Sequence, residues 1–298
     1  MKTKEIELLV ITYVGSAKYG FYKDCTDGVA RLQASLAEYN LDLKIYGLSD
    51  LKSLVRFPDS NLFYFFTRYG AGAWFWKPIL IVHALTTCKP KYLLYLDADC
   101  VLLKDPRIVI EESLRCSDVS LFKQNVPLEG WISKRALRKL DLTSSDARQM
   151  SLLTAGILLI RNSENSLLFM NSWVAAMRNP QVLLSPMLGK FRVKHRHDQA
   201  VLSALVGKGE LSCSIMSSGF HSFGAETLEE NVAGAWVSTG YLTSTVLPMG
   251  YTQRLKSIVD YYSRIIYDFL KSILITPLHY LAYILTIKRR AAMQERSD

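Results

Sequence analysis

Residues 92–103, Tyr-Leu-Leu-Tyr-Leu-Asp-Ala-Asp-Cys-Val-Leu-Leu, restrict the fold more than any other stretch of the chain. The run of Leu and Tyr reads as a strand buried on both faces, the pattern of a sheet covered by helices on each side. Asp97 and Asp99 then stand at the carboxyl end of that strand, the edge of an open α/β sheet where ligands bind. Two aspartates separated by one residue can share a hard cation through their oxygens. They also serve well as strand-ending turn residues, and the tripeptide alone does not choose between the two.

The rest of the chain alternates in the same manner. Residues 5–14 and 41–48 read as strands around a helical pattern at 23–39. Residues 61–72 are aromatic and loop-like, with Gly70 and Gly72 bracketing a turn. A helix is expected from 76 to 88, where Pro78 suits the first turn. Further apolar strands are expected at 119–122 and 154–161, and helices at 163–177 and 198–206. Strands alternating with helices predict an α/β fold with a mostly parallel sheet covered on both faces. A chain of 298 residues accommodates one large domain with an appendage, drawn here as 1–250 and 251–298.

Composition narrows the setting. At 49% hydrophobic and 21% charged residues the chain is globular. Five cysteines, odd in number and without a C-x-x-C pair, indicate reduced thiols rather than a disulfide framework or a zinc knuckle. The first residues are charged and lack a signal peptide's apolar stretch, so a cytoplasmic location is expected. The formal charge of +9 calls for an acidic partner. Arg178, Lys190, Arg192, Lys194 and Arg196 run without an acid until Asp198. No nucleic-acid recognition motif accompanies them, so no nucleic acid is expected. Anionic lipid head groups or a phosphorylated substrate account for the charge. Residues 251–298 place Leu255, Ile258, Val259, Tyr262 and Ile266 at helical spacing opposite charged residues. Pro277 follows, and the run closes on Lys288, Arg289 and Arg290. Too interrupted to span a bilayer, this segment reads as an amphipathic helix peripheral on the inner face of the membrane, or as a helix packed on the main domain.

Four motifs in order resemble the retaining family-eight type of bacterial glycosyltransferases with the GT-A fold. They are the strand with Asp97-Ala-Asp99, the Trp76-Lys77-Pro78 segment, the small-residue strand Thr154-Ala155-Gly156, and the pair His197-Asp198-Gln199 and His221-Ser-Phe-Gly224. Two departures stand out: Gly156 is not preceded by the usual Asn, and no Lys-Pro-Trp follows His221. The resemblance implies a GT-A (Rossmann-like) sheet and transfer of a sugar from a nucleotide donor, a UDP-sugar first, to a cell-envelope glycan or glycolipid acceptor. It implies Asp97, Asp99 and His221 as metal ligands. Asp198 and Gln199 would face the reacting sugar, with Gly156 beside it and Thr12 and Tyr13 near the nucleotide base.

The residue types suit that chemistry. Departure of a diphosphate puts negative charge on phosphate oxygens, which a divalent cation on Asp99 and Asp97 would stabilise. Carboxylates with one imidazole favour Mn²⁺ over Mg²⁺. Lys77, at a helix start, is either a phosphate contact or a solvated lysine. Asp198 is either an N-cap or a carboxylate kept ionised by His195, Arg196 and His197. Tyr69, Trp74 and Trp76 read as core. Two other functions compete. Asp97-Ala-Asp99-Cys-Val101 also fits a haloacid-dehalogenase-type phosphotransferase, although its later acidic pair is missing. A non-catalytic, membrane-associated binding protein with a transferase-like fold is the third.

Overall fold

In the computed structural model, residues 7–14, 23–54, 73–184, 195–216, 220–222 and 237–239 are described. The chain divides into two compact units, Met1–Tyr241 and Leu242–Asp298. The aromatic stretch 61–72, Lys190, Arg192 and Lys194, and the amphipathic segment 251–298 lie outside the described residues. Among the described residues no helix is long and apolar enough to cross a membrane.

The first unit is built on a mixed sheet. β1 (Leu8–Tyr13) lies between β2 (Leu43–Tyr46) and β3 (Tyr92–Leu96), parallel to both. Beyond β3 come β7 (Ile157–Arg161) and then β5 (Val119–Pro127), with β6 (Ser151–Leu153) and β8 (Ser214–Met216) also pairing to β5. The pairs β3–β7, β5–β7 and β5–β6 are antiparallel, whereas β5–β8 is parallel. This corrects the expectation of a mostly parallel sheet. A parallel return needs a crossover, usually a helix running the length of a strand. After β5 the chain has only a 3₁₀ turn and the six-residue helices Lys134–Lys139 and Ser144–Gln149. Each six-residue helix spans about 9 Å, so the chain comes back antiparallel.

The expected strand at 154–161 is also interrupted. β6 and β7 are parted by Thr154, Ala155 and Gly156, where the chain leaves β5 for the end of β3. A small three-stranded sheet joins β4 (Val101–Leu102), β10 (Val237–Thr239) and β9 (Phe220–Ser222).

All five residues of β3 are buried, because both faces are covered. On one face Leu93 and Tyr95 pack with Leu80 and Ile81 of the helix Trp76–Thr87, with Phe169, Met170 and Trp173 of Glu164–Met177, and with Val201 and Leu202 of His197–Gly207. On the other, Val10, Leu94 and Leu96 meet Leu32 and Leu36 of the helix Lys23–Ala37 and Ile110 of Arg107–Ser113. The period-two alternation of β1 and β3 thus assigns each side chain to one of two cores. That assignment fixes which helix meets which part of the site.

Candidate active site

The two aspartates occupy a turn rather than a continued strand. The β3–β7 ladder ends at Leu96 and Ile157, and Asp97 N then donates to Gly156 O at 2.8 Å. Cys100 N donates back to Asp97 O at 2.9 Å, which closes the turn. Two glycines let other segments come close. A Cβ on Gly28 would sit 2.6 Å from Ala98 O and 3.5 Å from Asp99 Cα, so the helix Lys23–Ala37 rests directly on the turn. A Cβ on Gly156 would sit 2.7 Å from Asp97 Oδ2.

Lys77 joins the site from below. The residue is 2% exposed, and its ammonium lies 3.1 Å from Asp97 Oδ1, 3.1 Å from Asp198 Oδ2 and 2.8 Å from Ala155 O. The ammonium donates to the Ala155 carbonyl and, at 3.5 Å, to Asp97 Oδ2, while Asp198 is held as an ion pair. Tyr95, two residues before Asp97 and so on the same face, donates its hydroxyl to Asp97 Oδ1 at 2.6 Å. The Lys77 ammonium also lies 5.2 Å from the Tyr95 ring centroid. Just before the Lys77 helix, Ala73 and Trp74 hold φ of 56° and 58°, and His197 at the start of the Asp198 helix holds 42°. Left-handed non-glycine residues cost of order 1–3 kcal/mol each, so backbone strain is concentrated where Lys77 and Asp198 enter.

The charges follow from this packing. Burial alone would lower the Lys77 pKa, but Asp198 and Asp97 outweigh it and raise the value. Burial pushes the Asp198 carboxyl up to about 6, with Lys77 opposing and Asp97 adding to the rise. Asp99 is likewise held at about 6 by burial and by the Asp97 charge, against the pull of Lys77 and Arg31. One cluster thus holds two carboxyls poised near neutrality around a single buried cation.

The other anticipated residues fall as follows. Thr12 is fully buried at the end of β1, and its Oγ1 has no hydrogen-bond partner among the described residues. Tyr13 is buried and its ring lies 4.0 Å from that of Trp76, inclined by 34°. Gln199 Nε2 is closed off from solvent, also without a hydrogen-bond partner among the described residues. His221 belongs to β9, where it aligns with Ser238 of β10, which in turn aligns with Val101 of β4. Its backbone is therefore two strands across from a residue just past Asp99.

Asp198 does not cap its helix. Arg196 takes the N-cap position, and Asp198 sits in the first turn, 5% exposed, facing Lys77. Nor do the neighbouring imidazoles keep it ionised. His195 Nδ1 accepts from Ser133 N at 3.2 Å while Nε2 faces the Val182 and Leu183 carbonyls at 3.0 Å, and burial pushes its pKa down to about 4. Burial lowers His197 as well. His195 is neutral at pH 7, and the Asp198 counter-charge is Lys77. Gly28, Arg31 and Tyr95 were missed in the sequence. A glycine inside a helical pattern and a tyrosine at period two from Asp97 were signals available for two of them.

Among the described residues no group of three or more His, Cys, Asp or Glu is arranged to hold a metal. The donor chemistry of the Asp97–Asp99 pair nonetheless fits a divalent cation. Both present hard oxygens, and the repulsion that helps raise the Asp99 pKa is what a shared cation would relieve.

No protein-family model matches the sequence, and no curated protein matches it. Solved structures share its chain path loosely. Mouse xyloside xylosyltransferase 1, in its apo form, is 10% identical over 82% of this chain and 100% of that one, with a TM-score of 0.48. A glycosyltransferase involved in glycosylation of the major capsid of PBCV-1 is 10% identical over 80% and 94%, with a TM-score of 0.45. The galactosyltransferase LgtC, in complex with donor and acceptor sugar analogues, is 11% identical over 78% and 86%, with a TM-score of 0.38.

Proposed function

We propose that this protein is a metal-dependent glycosyltransferase of the GT-A type, moving a sugar from a nucleotide-sugar donor, a UDP-sugar first, to a glycan or glycolipid acceptor. The observation that carries the reading is the Lys77 clamp, which brings Asp97 at the end of β3 and Asp198 of a distant helix onto one ammonium at 3.1 Å each. The cluster joins the buried Asp198 and the partly exposed Asp97 to one buried cation, and perturbed acids in a cluster of this kind mark functional sites.

In this reading Asp97, Asp99 and His221 hold the cation, with Mn²⁺ favoured by the imidazole. Bound there, the metal would supply Lewis-acid stabilisation of the departing diphosphate. The protein's own groups do the rest. Asp198, ionised at pH 7 and fixed by Lys77, offers negative charge to the anomeric carbon as it becomes oxocarbenium-like, with retention of configuration. Gln199 Nε2 and Thr12 Oγ1, buried without hydrogen-bond partners among the described residues, are available to substrate hydroxyls or the base. Lys77 is a positioning residue, held inward on Asp97, Asp198 and Ala155. The basic, amphipathic segment 251–298 would hold the enzyme at the inner face of the membrane, next to a lipid-linked acceptor.

The test is a screen of nucleotide sugars for Mn²⁺-dependent hydrolysis, with nucleoside-diphosphate affinity measured alongside. Wild-type protein should release sugar from one donor class. A folded Asp99→Ala protein should lose metal-dependent nucleotide binding. If that variant binds nucleoside diphosphate as the wild type does, the metal assignment is wrong.

A further inference from the structure

One face of the helix Lys23–Ala37 runs alongside the chain from Ala98 to Leu102. At one end Gly28 abuts Ala98 and Asp99, with its virtual Cβ 2.6 Å from Ala98 O. At the other end Ser35 Oγ accepts a hydrogen bond from Leu102 N at 3.1 Å. Arg31 lies between them, about one turn from each, and is held beside the segment that leaves Asp99. Its Nη2 is shut off from solvent and has no hydrogen-bond partner among the described residues. Thr12 is the second orphan on this side of the sheet. Val10, two residues earlier, packs in the same core as Leu32, Leu96 and Cys100, so the period of β1 turns Thr12 toward the same helix. Of these two donors Arg31 acts electrostatically on Asp99, while Lys77 and Asp198 stand on the other face.

A charge count says what Arg31 is for. Asp97 and Asp99 together cancel a divalent cation, and Lys77 is matched by Asp198. A diphosphate arriving at that site meets no net positive charge unless another cation supplies it. A guanidinium suits this role, because its planar fork binds phosphate oxygens through parallel N–H bonds and it stays charged when desolvated.

We propose that Arg31 is a substrate-binding residue that contacts the phosphate oxygens of the donor diphosphate, on the opposite side of Asp99 from Lys77. The proposal rests on the nucleotide-sugar reading above and adds to it a contact from the helix beneath the Asp-Ala-Asp turn. Loss of Arg31 should leave the metal site in place and weaken the hold on phosphate.

The experiment uses the full-length chain, with Mn²⁺ alone and Mn²⁺ with pyrophosphate as probes, read by calorimetry and by the shift in melting temperature. Arg31→Gln should bind Mn²⁺–pyrophosphate roughly tenfold or more weakly than wild type, the loss expected for one charged hydrogen bond. Arg31→Lys should recover part of that loss. Mn²⁺ alone should bind Arg31→Gln as tightly as wild type or more tightly, since a like charge has been removed. Unchanged Mn²⁺–pyrophosphate affinity in a folded Arg31→Gln protein would overturn the proposal. So would a parallel loss of Mn²⁺ alone, which would mean that Arg31 acts through Asp99. A wild-type protein that binds neither Mn²⁺–pyrophosphate nor any nucleoside diphosphate would instead overturn the nucleotide-sugar reading, and Arg31's role with it.

Discussion

The two ends of the sheet carry aspartates paired to cations at the same distance, with opposite electrostatic results. At the end away from the site, Arg161 of β7 lies 3.1 Å from Asp118, which precedes β5. Ser163 Oγ donates to the same carboxylate at 2.8 Å and Asn165 Nδ2 at 3.3 Å. Burial would raise the Asp118 pKa, but these donors and Arg161 lower it on balance. At the site end, Lys77 is also 3.1 Å from its carboxylates, yet the Asp198 pKa is pushed up to about 6. The difference lies first in burial, far deeper at Asp198 than at Asp118, and then in how donors are shared. Several donors converge on Asp118, whereas Asp97 and Asp198 divide one ammonium inside the protein. The first arrangement stabilises the fold, and the second holds charge under tension where chemistry can use it.

Breaking the shared cation should have the largest effect. Lys77→Met leaves the buried Asp198 and the partly exposed Asp97 without their counter-charge, and the expected cost at pH 7 is about 3–5 kcal/mol of unfolding free energy, read by urea denaturation. Adding Asp198→Asn to Lys77→Met should restore part of that loss. If Lys77→Met unfolds like the wild type, the clamp is not a stabilising element.

Asp198→Asn alone should act on turnover. Removing one preorganised electrostatic contact costs about 2.7–4 kcal/mol in the transition state, so kcat should fall roughly 10²- to 10³-fold with nucleotide affinity retained. Steady-state kinetics with calorimetric binding separates the two. Normal kcat would reduce Asp198 to a structural role.

Two buried groups tilt stability with pH in opposite senses. The folded pKa of His195 is lowered to about 4, so its contribution is present above its unfolded value and is lost as pH falls through about 4. The folded pKa of Asp198 is raised to about 6, so its contribution is present below its unfolded value and is lost as pH rises through about 6. Each corresponds to about 3 kcal/mol. Asp99, also raised to about 6, adds to the Asp198 slope. Between pH 4 and 6 the two carboxyls therefore outweigh His195, and stability falls as pH rises. His195→Gln should expose the Asp198 slope, with stability rising as the medium is acidified. Asp198→Asn should flatten the profile, because Asp99 alone then offsets His195. Chemical denaturation across that range tests both, and parallel slopes in the two variants would refute the assignment. Smallest of all, Asp118→Asn should cost about 1 kcal/mol, as for a partly exposed pair, and leave nucleotide affinity unchanged.

What the sequence disclosed follows physical lines. The buried strand β3 and the placement of Asp97 and Asp99 at its end were legible, because an apolar run followed by charge has few other solutions in a covered sheet. The helices flanking it were legible from their periodicity to within a few residues. Strand direction was not, since β7 is as apolar as β3 and only the short helices before β6 betray the antiparallel return. The breadth of Lys77's contacts was also hidden. A lysine beside a proline at a helix start reads equally as a phosphate contact or as a solvated residue, and only the tertiary approach of Ala155 and Asp198 shows it turned inward. The neutral state of His195 comes from burial, which outweighs the opposing pull of the Val182 and Leu183 carbonyls, and that burial is set by packing the chain order does not show.

The interruption at Thr154–Ala155–Gly156 has a consequence for when the candidate site is assembled during folding. Lys77 bonds the Ala155 carbonyl, 78 positions along the chain, and Asp97, 20 positions along. The clamp closes only on Asp198, further still toward the C-terminus. Contacts of such long range form late, after loop-closure entropy has been met by the sheet and its helices. A growing chain that has not yet delivered residue 198 has a strand and two aspartates but no assembled site. The Lys77 cluster therefore comes together in one step, with completion of the fold, and a partly made chain lacks it.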